Sequence, residues 1–406
     1  MSIKTLHISS KSINVEINLP ASKSISNRAL ILNALAYSPY DIQNLSDCDD
    51  TNVMISALDS NDTTFDVGAA GTSMRFLTAF LSKTVGEWII TGSERMKERP
   101  IKLLVNALNS LGAKIEYIEN EGYPPLKIFG SALTGGEITM NGGVSSQYIS
   151  ALMMIAPYMQ NGLKINLEGE VISIPYIQMT SNMMKEFGVN VSFENNIIDI
   201  KPQIYTPIKY KVESDWSAAS YWYEILSIIG NGRVFLKGLR KDSYQGDSKI
   251  ADLFIQLGVN TVYHEDGVEL TANQNQCEYF EYDFINQPDL AQTLAVTCCV
   301  KNIPFYFKGV QSLKIKETDR IAALINELRK AGYILKEPEH GSLMWDGETE
   351  QVNSKEAPVF QTYHDHRMAM AFAPIALVRS IIIENPEVVT KSYPSFWDDL
   401  EKLGKS

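Results

Sequence analysis

The chain has 406 residues, of which 45% are hydrophobic and 21% charged, and 48 Asp and Glu outnumber 36 Lys and Arg to give a formal net charge of −12. This composition suits a soluble globular protein long enough for two or more domains, and it argues against a broad surface for nucleic acid or anionic membrane. In so acidic a chain, any tight group of cations needs its own explanation.

The N-terminal "MSIKTLHISS" has no apolar h-region of a signal peptide, and no apolar run approaches the ~18 residues that span a bilayer. A cytoplasmic location, with no membrane and no nucleic-acid partner, is the expectation. Cys48, Cys277, Cys298 and Cys299 include no CxxC pair and read as reduced core thiols. His364 and His366 form an HxH without companion ligands, so no metal is expected.

In chain order, "TLHISSKSINVEINLP" alternates like a strand hairpin. "SKSISNRALIL", starting at Ser22, follows as a helix, with Ile25, Ala29, Leu32 and Leu35 at helical spacing. Lys23 and Arg28 crowd its first turns, where the helix dipole disfavours cations. Further helix starts appear at "AGTSMRFLTAFL", "SSQYISALMMIA", "SDWSAASYWYEI", "PDLAQTLAVTCC" and "DHRMAMAFAPIAL". With Ser24, Thr72, Ser145, Asp215, Asp289 and Asp365 as markers, the starts recur about seventy residues apart, except that the first interval is about two dozen residues short.

A second series runs in step. Gly112, Gly188, Gly258, Gly332 and Gly404 each follow an apolar residue at the end of a helical pattern, again about seventy residues apart. Glycine there suits the left-handed position that terminates a helix. The two series imply an α+β protein of six duplicated units. The chain stops at the point where a sixth unit needs further strands, so residues 1–19 are expected to complete it. One domain would be continuous, 20–213, and the other would combine 1–19 with 214–406, each holding three units. Clefts between domains are favoured ligand sites, so the active site is expected there.

The unusual cations coincide with helix starts. Beyond Lys23 and Arg28 these are Arg75, then Arg95, Lys97 and Arg99 ahead of Pro100, which suits a first helical position. "KIKETDR" adds Lys314, Lys316 and Arg320; "DHR" adds His366 and Arg367; Lys391 precedes the last helix. Helix N-termini present free N–H groups and a positive dipole end, so cations there make sense when an anion completes the site. Local ion pairs with the acids of "KETDR" are the plainer alternative. Ser145, Ser146 and Gln147 suit hydroxyl or phosphate recognition, or simply an N-cap. Met153, Met154, Met183 and Met184 read as core filling. Asp289 and Glu317 are the carboxylates nearest the cations in sequence, suited to proton transfer or to a salt bridge with Lys316 or Arg320.

Taken together, "SKSxSNRAL", "AGTxMR", "RMKERP", "VSSQ", "KETDR" and "DHRMAM" resemble the enolpyruvylshikimate phosphate synthase family, in matching order along nearly the whole chain. The resemblance implies a two-domain inverse α/β prism built from six βαβαββ units, three per domain. It implies transfer of the enolpyruvyl group of phosphoenolpyruvate to the 5-hydroxyl of shikimate 3-phosphate, with release of phosphate and no cofactor, in aromatic amino acid biosynthesis. Lys23, Gly71, Arg99, Arg320, Arg367 and Lys391 match the positions that hold phosphoenolpyruvate. Lys23, Ser24, Arg28, Ser145, Ser146, Gln147, Ser173, Tyr176, Asp289, Ser312 and Lys316 match those that hold shikimate 3-phosphate. Asp289 would act as base and Glu317 as proton-transfer partner, with Lys23 and His366 assisting. A monomer with small-molecule substrates only is implied.

Ala69, Ser312 and His364 depart from the family's usual Asn residues, and the first unit is shortened between Asp50 and Val67. The related UDP-N-acetylglucosamine enolpyruvyl transferase is the nearest alternative. It carries a Lys-Asn pair where this chain has Lys23-Ser24, and a loop cysteine that is missing near Arg95–Arg99. A DNA-encircling clamp is also built from pseudo-repeated α+β units, but it would need many inward lysines rather than a few Arg-bearing helix starts.

Overall fold

The computed structural model describes residues 2–353 and 356–404. The chain divides into two compact units, one made of Met1–Ala21 with Glu213–Ser406 and the other of Ser22–Val212. No helix among the described residues is long and apolar enough to cross a membrane.

Two strands open the chain, β1 (Ile3–Leu6) and β2 (Ile13–Asn18). They do not form the expected hairpin. β1 pairs antiparallel with a strand near the C-terminus, and β2 pairs parallel with the strand that begins at Gly232, in a different sheet. Alternation of apolar residues identifies a strand and its buried face but carries no information about its partner.

In the Ser22–Val212 unit, α1 (Lys23–Leu35) and α2 (Asp49–Asp59) come first. Then follow β3 (Thr64–Asp66), α3 (Gly71–Lys83), β4 (Gly86–Thr91), α4 (Glu94–Lys97), α5 (Lys102–Ser110), β5 (Lys114–Tyr117) and β6 (Leu126–Gly130). The second half holds β7 (Gly136–Asn141), α6 (Ser146–Ile155), β8 (Leu163–Glu168), α7 (Ile174–Glu186), β9 (Ser192–Glu194) and β10 (Ile197–Ile200). These make two four-stranded sheets, β3-β4-β6-β5 and β7-β8-β10-β9. Pro100 does not open a helix: α5 starts at Lys102, with Ile101 as its N-cap. The Arg95–Arg99 stretch instead belongs to the short α4 and the turn after it.

The other unit continues with α8 (Trp216–Ile229), β11 (Gly232–Lys237), α9 (Ile250–Leu253), β12 (Val259–Tyr263), β13 (Gly267–Ala272) and β14 (Phe280–Asp283). It ends with α10 (Ala291–Val300), β15 (Phe305–Lys308), α11 (Arg320–Lys330), β16 (Leu343–Trp345), β17 (Val359–Phe360), α12 (His366–Phe372), β18 (Ile381–Glu384) and α13 (Phe396–Glu401). Its sheets are β12-β13-β11-β2, β14-β15-β16 and β1-β18-β17. The described residues thus form five sheets; the first stretch of the Ser22–Val212 unit contributes helices and an isolated bridge from Gln43 to Lys211.

Every sheet contains one parallel pair: β3 with β4, β7 with β8, β2 with β11, β14 with β15 and β17 with β18. Parallel neighbours need a crossover, which is normally a helix. Here α3, α6, α10 and α12 are those crossovers, each starting just past the carboxyl end of the preceding strand. That end of a parallel pair is where open α/β sheets bind ligands. Helices α10 and α8 fill the core of their unit and are buried nearly all round: all residues of α10 from Ala291 to Cys299 are buried, as are Trp216–Ser227 of α8. Met153, Met154, Met183 and Met184 are fully buried core residues.

Four of the five repeating glycines, Gly112, Gly188, Gly258 and Gly332, have φ between +83° and +101°, the left-handed conformation that ends a helix without a Cβ penalty. Gly404 differs: it closes a 3-10 turn, Lys402–Gly404, without that conformation.

Candidate active site

In the Ser22–Val212 unit, four helix starts are tied together by one buried arginine. Arg28 of α1 donates from Nε to Thr180 Oγ1 of α7 at 2.7 Å and from Nη2 to Ser150 Oγ of α6 at 3.1 Å. It also donates to Ser24 O at 2.9 Å and Tyr176 O at 3.5 Å, and its guanidinium lies 5.2 Å from the Phe76 ring of α3. Each of these contacts falls within about the first two turns of its helix, so the N-terminal turns of α1, α3, α6 and α7 converge. Burial of Arg28 pulls its pKa down to about 10. Hydroxyls and carbonyls, rather than a carboxylate, solvate this cation.

The convergence gathers the expected residues. Lys23 is the first residue of α1, N-capped by Ser22, and its Nζ lies 3.3 Å from Asp50 Oδ2 of α2. Gly71 is the first residue of α3, and a Cβ there would come within 2.6 Å of Arg99 Nη1, so the two are in contact. Ser145 caps α6 and Ser146 is its first residue. The Gln147 amide reaches back to Thr72 Oγ1 at 3.1 Å, linking α6 to α3. Ser173 precedes α7 at φ 55°, ψ 35°, a left-handed conformation held by a non-glycine residue, with Tyr176 one turn on. Such strain concentrates where a structure over-determines its backbone, typically at sites.

The second gathering lies in the Glu213–Ser406 unit. Asp289, in the 3-10 turn before α10, accepts from Arg320 Nη1 at 3.0 Å and from Arg367 Nη2 at 2.9 Å, with Lys316 Nζ at 3.7 Å. Arg320 opens α11 and also grips Asp365, from Nε at 2.7 Å and Nη2 at 3.2 Å. Its Nη2 further reaches Glu317 at 3.2 Å, and the other Glu317 oxygen holds Lys391 at 2.9 Å. Asp365 caps α12, which begins with His366 and Arg367, and His366 Nδ1 lies 3.7 Å from Asp365 Oδ1. Ser312 sits in the 3-10 turn Gln311–Ile315 leading to Lys316. The N-terminal ends of α10, α11 and α12 therefore meet around Asp289, Arg320 and Arg367. Of the ion pairs read as alternatives in the sequence, Glu317 pairs with Arg320 and Asp289 with Arg320 and Lys316; the further pairs of Glu317 with Lys391 and of Asp289 with Arg367 go beyond that expectation.

Electrostatics follow from this packing. Burial opposes ionisation of Asp289, but the charges of Arg367, Lys316 and Arg320 outweigh it and hold the carboxyl well below its usual range. Burial likewise disfavours the Arg320 cation, yet Asp365, Glu317 and Asp289 hold it firmly protonated. Asp247, buried beside this group, goes the other way: burial and the Asp289 charge push it up to about 7, against the pull of Arg367 and a hydrogen bond from the Ser217 hydroxyl.

Sequence reasoning did not pick out Asp50, Thr72, Asp247 or Asp365 as site residues. Asp365 could have been found, since an acid directly before "HR" at a helix start is an N-cap signature. Asp50 and Asp247 gave no local signal; only the tertiary fold brings them to Lys23 and to the Asp289 group. Among the described residues no group of three or more His, Cys, Asp or Glu is placed to hold a metal ion.

Comparison with known proteins agrees along the whole length. The family model of EPSP synthase (3-phosphoshikimate 1-carboxyvinyltransferase) matches residues 8–60 and 57–400. The chain is 55% identical over 394 residues to the 3-phosphoshikimate 1-carboxyvinyltransferase of Bacteroides fragilis, covering 97% of this chain and 96% of that one. The chain belongs to the EPSP synthase family. The family member from Vibrio campbellii is 38% identical over 421 residues, covering 96% and 97% of the two chains. The solved EPSP synthase of Acinetobacter baumannii has the same mixed α/β fold, with a TM-score of 0.78 at 20% identity over 99% of this chain and 98% of that one. Membership makes the protein a transferase and removes support from the UDP-N-acetylglucosamine and clamp readings.

Proposed function

We propose that this chain transfers the enolpyruvyl group of phosphoenolpyruvate to the 5-hydroxyl of shikimate 3-phosphate and releases phosphate. The observation that carries the reading is the Asp289 carboxylate held between Arg320 and Arg367, with Glu317 between Arg320 and Lys391, in a chain of this family. Within the fold, the finer architecture we infer is the inverse prism of six βαβαββ units.

Arg320, Arg367, Lys391, Arg99, Lys23 and the Gly71 backbone take the phosphate and carboxylate of phosphoenolpyruvate. Arg28, Ser24, Ser145, Ser146, Gln147, Ser173, Tyr176, Ser312 and Lys316 take shikimate 3-phosphate. The resting ion pairs give this assignment a mechanism. While both arginines bond to Asp289, its carboxylate is a poor base. When they turn to an incoming anion, Asp289 loses its counter-charges and becomes basic enough to accept the proton of the attacking 5-hydroxyl. Glu317 is likewise freed when Arg320 and Lys391 turn to the anion, and takes up a proton; as the 5-oxygen bonds to carbon 2 of the enol, carbon 3 takes that proton from Glu317, with Lys23 and His366 as assistants. The resulting tetrahedral adduct expels phosphate, which carries off the proton held by Asp289, and the carbon 3 proton returns to Glu317, regenerating the double bond. The cations stabilise the charge that builds on the phosphate and carboxylate.

The test is release of inorganic phosphate from phosphoenolpyruvate, expected only when shikimate 3-phosphate is also present. Release with UDP-N-acetylglucosamine in place of shikimate 3-phosphate, and none with the latter, would overturn the reading.

A further inference from the structure

Helix α11 touches the segment Gln361–Asp365 at two points. Its first residue, Arg320, grips Asp365 with two hydrogen bonds. Glu327 lies about two turns further on, hence on the same stripe of the helix. It is 1% exposed. Its Oε2 accepts the Gln361 backbone N–H at 2.9 Å and Lys330 Nζ at 2.6 Å, and its Oε1 accepts the Tyr363 hydroxyl at 2.7 Å. Asn326 also reaches that hydroxyl, and Lys330 donates to Val359 O at 2.9 Å.

Between the two grips the backbone is in an uncommon conformation. Tyr363 and His364, both non-glycine, have φ of 53° and 55°. The turn closes with Asp365 N–H on Thr362 O at 2.8 Å. Left-handed residues of this kind are strained and persist only where their surroundings over-determine them. Straight after it come Asp365, His366 and Arg367.

We propose that Glu327 is a positioning residue for the transfer site: it clamps the Gln361–His364 turn to α11, and so fixes where Asp365 receives Arg320 and where Arg367 meets Asp289. A carboxylate suits the task because it offers two acceptor oxygens, one for the turn's backbone and one for its tyrosine, while Lys330 balances the buried charge. Glutamine at this position keeps the shape but has only one acceptor oxygen, and its amide N–H₂ would face a second donor. The inference rests on Arg320 and Arg367 serving phosphoenolpyruvate.

The experiment uses the full chain with Glu327→Gln, Tyr363→Phe and both together. Tyr363→Phe removes only a hydroxyl, so it remains informative if Glu327→Gln folds poorly. Hydrogen exchange without substrates should show residues 361–367 opening about tenfold faster in each variant, with exchange in the rest of the chain unchanged. kcat/KM for phosphoenolpyruvate should fall about tenfold to a hundredfold, while KM for shikimate 3-phosphate stays within about twofold. The double variant should be no worse than Glu327→Gln, because both changes break the same clamp. Exchange and phosphoenolpyruvate kinetics at wild-type levels in both single variants overturn the proposal. So does an equal loss with both substrates that merely tracks a lower Tm. An Arg367→Lys enzyme separates the two layers: unchanged phosphoenolpyruvate kinetics there removes the assignment of Arg367, and the exchange result then decides the clamp by itself.

Discussion

Arg320 and Asp365 form a two-bond pair, Nε to Oδ2 at 2.7 Å and Nη2 to Oδ1 at 3.2 Å, with both residues buried. The same guanidinium serves Asp289 and Glu317. One arginine thus neutralises carboxylates from three separate segments. Arg320→Met would leave Asp365 buried without its main counter-charge, a loss of about 3–5 kcal/mol by analogy with other broken buried pairs. Arg320→Lys should recover only part of this, since an ammonium cannot match the forked geometry. Urea unfolding of both variants checks the order. Equal stability of wild type and Arg320→Met would refute it.

Lys23 opens α1 against the dipole, and its contact with Asp50 softens that cost. Lys23→Ala should leave the far-UV circular dichroism unchanged and lower Tm by a few degrees, because Asp50 is buried. Turnover should fall by about a hundredfold or more if the ammonium stabilises charge in the transition state. Unchanged kcat would return Lys23 to a purely local pairing role.

The helix starts were legible because their signals are local. Ser22, Ser145, Asp215 and Asp365 do cap helices, and the apolar periods after them mark the buried faces. The family was legible because its motifs are short and ordered along the chain. What the sequence concealed is long-range. Nothing near Arg28 announces Ser150 and Thr180 as its partners, nothing near Glu327 announces the turn at Tyr363, and the alternation of Ile3–Leu6 does not name β18. Pro100 misled for a related reason: proline favours a first helical turn, but Ile101 intervenes and the helix begins later.

Gly71 faces Arg99 so closely that a methyl group there meets the end of its guanidinium. That end is flexible, so Gly71→Ala should fold normally and displace Arg99 rather than the backbone. KM for phosphoenolpyruvate should rise about tenfold, with KM for shikimate 3-phosphate little changed. A rise confined to shikimate 3-phosphate would contradict the assignment of Arg99.

Glu224 of α8 is fully buried, and neither carboxyl oxygen has a hydrogen-bond partner among the described residues. Burial raises its pKa well above the ordinary 4.5. The folded state therefore holds a proton that the unfolded chain gives up. Its contribution to stability is fully present below pH 4.5 and is lost progressively as pH rises towards the folded pKa. Glu224→Gln removes this titration, so the variant should gain stability relative to wild type as pH rises from 4 to 8. Parallel stability–pH curves for the two proteins would show that Glu224 is not held neutral.

Asp247 carries the last prediction. The Ser217 hydroxyl donates to one of its oxygens, and the other is buried without a partner among the described residues. Burial and the nearby Asp289 charge lift its pKa to about 7, while Arg367 resists the shift. Because the two aspartates interact, the proton belongs to the pair, and the titration near neutrality reports their joint charge. Loss of that proton as pH rises adds a negative charge facing Arg367 and Asp289, drawing Arg367 away from an incoming anion. kcat/KM for phosphoenolpyruvate should therefore decline above about pH 7, and in Asp247→Asn, where the group stays neutral, that limb should disappear. Stability moves in the same direction over a lower window: a raised carboxyl pKa weakens folding as pH climbs from 3.8 to about 7, so the variant should be the more stable protein at pH 8. A limb that persists unchanged in Asp247→Asn assigns the neutral titration to another group.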